Sequence, residues 1–168
     1  MPSEAIVLAT VAAGAGSGAA IDLWTRRVPN PLTALLAGSG VLLAAFGVSG
    51  ISVVASLAGL LLGLALMMPG HLFGATGAGD VKLFAAMGAL LGPASITTAF
   101  VYTALAGGVM ALAVALGRRR FRKTIGSTAR LIATAGGNVA DIEAPIERNR
   151  FPYAPAIAVG SIIAAVGL

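Results

Sequence analysis

Six apolar runs follow one another along this chain, at Ala5–Trp24, Pro31–Phe46, Ile51–Met68, Val81–Leu91, Ser95–Leu116 and Pro152–Leu168. About 20 helical residues cross a bilayer core, so runs of this length and character read as membrane spans, the fourth short and the sixth barely sufficient. Breaks fall at Val28-Pro29-Asn30-Pro31, Gly47 to Gly50, Pro69-Gly70 and Gly92-Pro93, where proline and glycine interrupt a helix. With 58% hydrophobic and only 10% charged residues, the chain cannot cover the surface of a soluble domain of its size. The expected fold is an all-α integral membrane protein, one domain over residues 1–168 built as a six-transmembrane-helix bundle.

The basic residues set the expected orientation, since Lys and Arg collect in cytoplasmic loops. Arg26 and Arg27 follow the first run, Lys82 follows the third, and the other eight lie between the fifth and sixth, from Arg118 to Arg150. All eleven therefore fall on one side, and both termini are expected on the non-cytoplasmic side. The first twenty residues carry Glu4 and no Lys or Arg, so they lack the positive start of a cleaved signal peptide and are expected to remain as a span. There is no cysteine, hence no disulfide framework and no thiol nucleophile.

Against this background two acids stand out. Asp22 closes the first apolar run and Asp80 opens the fourth, and a carboxylate beside hydrocarbon is costly unless it is paired or functional. The first and third runs cross in the same direction, which brings both acids to the same membrane face. Each has an ordinary structural explanation: Asp22 could pair with Arg26, four residues on, and Asp80 could N-cap a helix starting at Val81. The sequence before Asp80, Gly74-Ala75-Thr76-Gly77-Ala78-Gly79, favours a functional one, because glycines let a backbone come close to another chain, such as an extended peptide substrate.

Gly77-Ala78-Gly79-Asp80-Val81-Lys82-Leu83 resembles the GxGDxKL signature of type IV prepilin peptidases, and Asp22 with Arg26, Val28, Pro29 and Asn30 resembles that family's first aspartate motif, D-x3-R-x-(I/V)-P-N. Phe151-Pro152-Tyr153-Ala154-Pro155-Ala156-Ile157-Ala158 is similar to the start of the family's last span. The chain looks like the short form that serves tight-adherence (Flp) pili, without the methyltransferase portion; the absence of cysteine agrees, since the longer enzymes carry a cysteine-rich metal motif. The resemblance implies a membrane aspartic endopeptidase of the bacterial inner membrane. It would cleave the basic leader of prepilins and pseudopilins at the cytoplasmic face, in pilus biogenesis and protein secretion, with Asp22 and Asp80 catalytic and no metal or other cofactor. Two close carboxylates cannot both ionise easily, so one can keep a proton while the other activates water.

Gly77, Gly79, Lys82 and Arg26 belong to the same implied site as supporting residues. Lys82 serves equally as a cation near Asp80 or as a snorkelling anchor, and Arg26 as an electrostatic partner of Asp22 or a topology determinant. His71 is the single histidine and reads as an interfacial side chain, since zinc would require more ligands. Ser17 lies in Ala15-Gly16-Ser17-Gly18, which lacks the first glycine of the rhomboid GxSG motif, so a Ser17–His71 dyad ranks well below the aspartates. The G-x-x-x-G pairs Gly14/Gly18 and Gly59/Gly63 read as close helix packing.

Residues 117–150 form a polar cytoplasmic loop with a basic head and an acidic tail. Phe121, Ile125, Ala129 and Ile132 recur at near-helical spacing beside Arg122, Lys123 and Arg130, which suits a helix on an anionic membrane surface. Asp141, Glu143 and Glu147 are the candidates for receiving a basic leader. The implied partners are thus prepilin substrates and anionic lipid headgroups, with no nucleic acid. The alternative class is a small transporter or channel using its buried acids for protons or cations.

Overall fold

The computed structural model describes residues 2–117 and 152–167, and among these the chain is helical with short connections and no strand. The helices are α1 (Pro2–Thr25), α2 (Asn30–Ala45), α3 (Val53–Leu72), α4 (Ala78–Gly117) and α5 (Ala154–Val166). Their ends follow local chemistry. Pro29 is extended and Pro31 sits in the first turn of α2, where a missing N–H costs nothing. The Ser52 hydroxyl accepts the Ala55 N–H at 3.1 Å and caps α3. The break expected at Pro69-Gly70 is displaced: α3 runs through Pro69 to Leu72, giving up the one hydrogen bond that Pro69 cannot donate, and closes with the Phe73 N–H on the Pro69 carbonyl at 3.1 Å. The last run is also shorter than expected, since Gly167 takes a left-handed conformation (φ 82°) and ends α5 after 13 residues.

The fourth and fifth runs are continuous through α4, but the helix doubles back at Gly92, whose φ of 76° and ψ of 176° are non-helical and closed to most L residues. Phe84 and Phe100 lie eight residues to either side. In a straight helix they would be about 24 Å apart; here their rings meet edge to face with centroids 6.1 Å apart. α4 is therefore a helical hairpin with arms 78–91 and 93–117.

The first arm is the centre of the molecule. Every residue from 80 to 92 except Lys82 is buried. A helix apolar on all sides must be enclosed on all sides, and that is why this run can be short. α1, α2 and α3 pack around it through positions that lack bulk. Gly59 of α3 lies directly on Gly88, backbone against backbone, Gly40 of α2 lies on Ala89, and Gly18 of α1 faces the Leu83 side chain. The Ser56 hydroxyl, fully buried, donates to the Ala89 carbonyl at 2.7 Å. α5 packs along the second arm, with Gly160 against Thr103 and Ala99, and also against α1.

Leu35, Leu42, Val54, Leu61, Leu105 and Val109 are exposed on the outside, as expected of a surface that meets lipid. Among the described residues, three stretches are long and apolar enough to cross a membrane, Glu4–Thr25, Val53–Leu72 and Ala78–Val114, the last of them folded back at Gly92; α2 and α5 are shorter apolar helices.

Candidate active site

Asp22 stands in the last turn of α1 and Asp80 in the first turn of α4. They are 5% and 7% exposed, and both line one cavity of about 300 Å³. Arg26, Arg27, Asn30, Gly77, Gly79, Lys82 and Pro152 share its wall.

The ordinary alternative for Asp80, an N-cap, is not what forms. α4 begins at Ala78, so Asp80 is the third helical residue, and its Oδ2 accepts the Gly77 N–H at 3.0 Å. That is the return half of a capping box, in which the acid reaches back to the donor ahead of the helix. Asp22 is held from another direction: the Ala154 N–H, first of α5, points at its Oδ2 from 3.4 Å. The positive end of α5 is thus aimed at Asp22. Arg26 follows in a left-handed conformation (φ 54°), with its N–H on the Asp22 carbonyl at 2.8 Å. Thr25 Oγ1 lies 2.8 and 2.9 Å from the carbonyls of Ile21 and Arg27 and tightens the same turn. Together they end α1 and send the chain inward to Val28, which is buried.

Gly79 lies against Val28, and a Cβ there would come within 3.1 Å of the Val28 Cβ and 3.2 Å of its nitrogen. The space this glycine leaves is filled by the protein's own chain, not kept open for a substrate as the sequence suggested. Its effect is to join the turn after Asp22 to the helix start that carries Asp80. Lys82 makes a second join: its Nζ donates to Asn30 Oδ1 at 2.9 Å.

Tyr153 completes the surroundings. Its half-buried ring covers Gly107 on the second arm of α4, where a Cβ would strike the ring. Burial pushes the phenol above its ordinary value of 10.0, and the Asp80 charge pushes the same way, so Tyr153 is a neutral hydroxyl at physiological pH. The short segment Tyr153-Ala154 thus relates to both acids, its backbone N–H toward Asp22 and its phenol feeling the charge of Asp80.

Other expected residues lie elsewhere. His71 Nδ1 is 3.1 Å from the Thr76 carbonyl and braces the α3–α4 connection, while the Ser17 hydroxyl donates to Ala13 on the exposed face of α1, so no Ser–His pair forms. Asp141, Glu143 and Glu147, with the basic stretch from Arg118, are outside the described residues. Asn30, Tyr153 and Ala154 belong to the site and were not singled out from the sequence, although all three lie inside the motif segments at Val28-Pro29-Asn30 and Phe151–Ala158.

The helices and the cavity define an α-helical membrane protein with two buried carboxylates lining one cavity. The chain belongs to the type IV leader peptidase family, whose model matches residues 7–112. Membership makes it a leader-peptidase-type protease. The matched region holds Asp22 and Asp80, while α5 and Tyr153 lie beyond it. Neither a curated protein nor a solved structure matches the chain.

Proposed function

We propose that this protein is a GxGD aspartic endopeptidase that removes the basic leader of prepilins, with Asp22 and Asp80 as its water-activating pair. The observation that carries the reading is that the two buried acids share one cavity. One carboxylate takes a proton from the attacking water; the other, protonated, polarises the scissile carbonyl and the pair then supplies the proton of the leaving amine. Water attacks directly and no acyl-enzyme forms. Arg26, Gly77, Gly79 and Lys82 shape the cavity around the pair.

The reading includes a bacterial inner-membrane location, six crossings, both termini outside and a cytoplasmic active site. The reversal at Gly92 supports two crossings within α4, and the clustering of Lys and Arg in one set of connections supports the orientation. Asp141, Glu143 and Glu147 are proposed to receive the basic leader. A transporter would be expected to hold its acids near the middle of its spans; here they occupy the last turn of α1 and the first of α4, which favours hydrolysis at one face.

The test is cleavage of a leader-bearing prepilin by detergent-solubilised protein beside Asp22→Asn and Asp80→Asn. Each change keeps an oxygen able to accept its backbone hydrogen bond, so both proteins should fold, and each should lose at least about 10³-fold in turnover. Cleavage at the wild-type rate by either variant would refute the dyad.

A further inference from the structure

α2 and α3 both pack on α4 but hardly touch each other. Between them lies a groove of about 320 Å³, walled by Ala34 and Ala37 of α2 and by Leu60 and Leu64 of α3, with Ala85 and Ala86 of α4 as its floor. One end is polar: Asn30 and Lys82 border both this groove and the acid cavity. The remaining hydroxyl, that of Thr33, is satisfied by the Asn30 carbonyl at 3.0 Å.

We propose that this groove seats the apolar helix of the substrate that continues from the scissile peptide, and that the chain passes from groove to acid cavity over the Lys82–Asn30 bridge. The inference rests on the peptidase reading above and names where that substrate lies in the membrane. An apolar wall offers no partner to an extended backbone, so a segment bound there must satisfy its own hydrogen bonds as a helix. Small side chains at Ala34 and Ala37 let such a helix approach closely. Hydrolysis needs the opposite, an unwound peptide among polar groups, and the cavity past Lys82 and Asn30 supplies them. The change from helix to extended chain is thus located at one residue pair. A larger groove of about 450 Å³ between α1 and α2, bordered by Ala13 and Leu35, shares no residue with the acid cavity and gives a substrate no direct path to the acids.

A photo-reactive side chain placed at Ala34 in the Asp80→Asn protein, in membranes with a precursor carrying leader and apolar helix, should cross-link that helix; the same group at Leu35 should not. Equal capture from Leu35, or capture of lipid alone from Ala34, would overturn the proposal. In active protein, Ala34→Trp should raise KM for the helix-bearing precursor about tenfold more than for a short peptide spanning only the junction, whereas Leu35→Trp should change neither. An equal effect of Ala34→Trp on both substrates would also overturn it. If the wild type cleaves neither substrate, the peptidase reading falls and the cross-link still decides the groove.

Discussion

Lys82 Nζ donates to Asn30 Oδ1 at 2.9 Å, tying the second turn of α4 to the start of α2 across 52 residues of chain. The bond lies on the surface and on the wall of the acid cavity, so its value is in position more than in stability. Lys82→Met or Asn30→Ala should cost no more than about 1 kcal/mol of stability, yet lower turnover of a prepilin about tenfold, since small displacements of reacting groups are expensive. Melting temperature and kcat measured on the same preparations separate the two effects.

Gly79 brings the turn after Asp22 onto the helix start that bears Asp80. Gly79→Ala places a methyl 3.1 Å from the Val28 Cβ, closer than it can stay, and Val28 is buried. The neighbouring chain at Val28 must give by a few tenths of an ångström. Activity should fall up to about 10²-fold, with helical content by circular dichroism unchanged. Wild-type kinetics in this variant would show that the contact does not set the site.

Tyr153 provides a test at high pH. Its folded pKa is raised above the unfolded value near 10, so its contribution to stability is complete below that value and is lost as pH rises through the folded pKa. Thermal unfolding in detergent above pH 10 should therefore fall more steeply for the wild type than for Tyr153→Phe, and the two curves should run parallel at pH 6–9. Gly107→Leu, which displaces the ring, should move the wild-type curve toward that of Tyr153→Phe.

Gly59 and Gly88 touch through their backbones, and side chains on either would force α3 from the central arm. Gly59→Leu should destabilise the protein by about 3 kcal/mol, seen as a lower melting temperature. Gly38→Leu is the matching control, because a Cβ at Gly38 meets nothing within 4 Å.

Much of this was readable in advance because the information is local. Apolar length marks helices, and Pro31 and Gly92 mark breaks between them through backbone restriction and freedom, whereas the caps at Ser52 and Gly167 emerged only in the structure. The two acids were conspicuous because a carboxylate among apolar residues is rare. A misreading also arose locally: Pro69 looks like a break, yet α3 runs on to Leu72. Asp80, which could have been an N-cap, stands three residues past the cap position at Gly77. The purpose of Gly79 could not be read at all, because Val28 lies far from it in sequence and only packing makes them neighbours.

By itself, then, the sequence determined a helical membrane protein, most of the breaks between its helices, and two acids carried by motifs of one peptidase family, because hydropathy and turn chemistry act over a few residues. Tertiary structure alone decided that the hairpin at Gly92 buries its first arm, that Val28 closes on Gly79, and that Lys82 reaches Asn30. It also decided that the start of α5 comes to Asp22. These contacts join positions 51 to 132 residues apart, and no local preference encodes them; they follow from helices enclosing a short apolar arm wherever small residues allow backbones to meet.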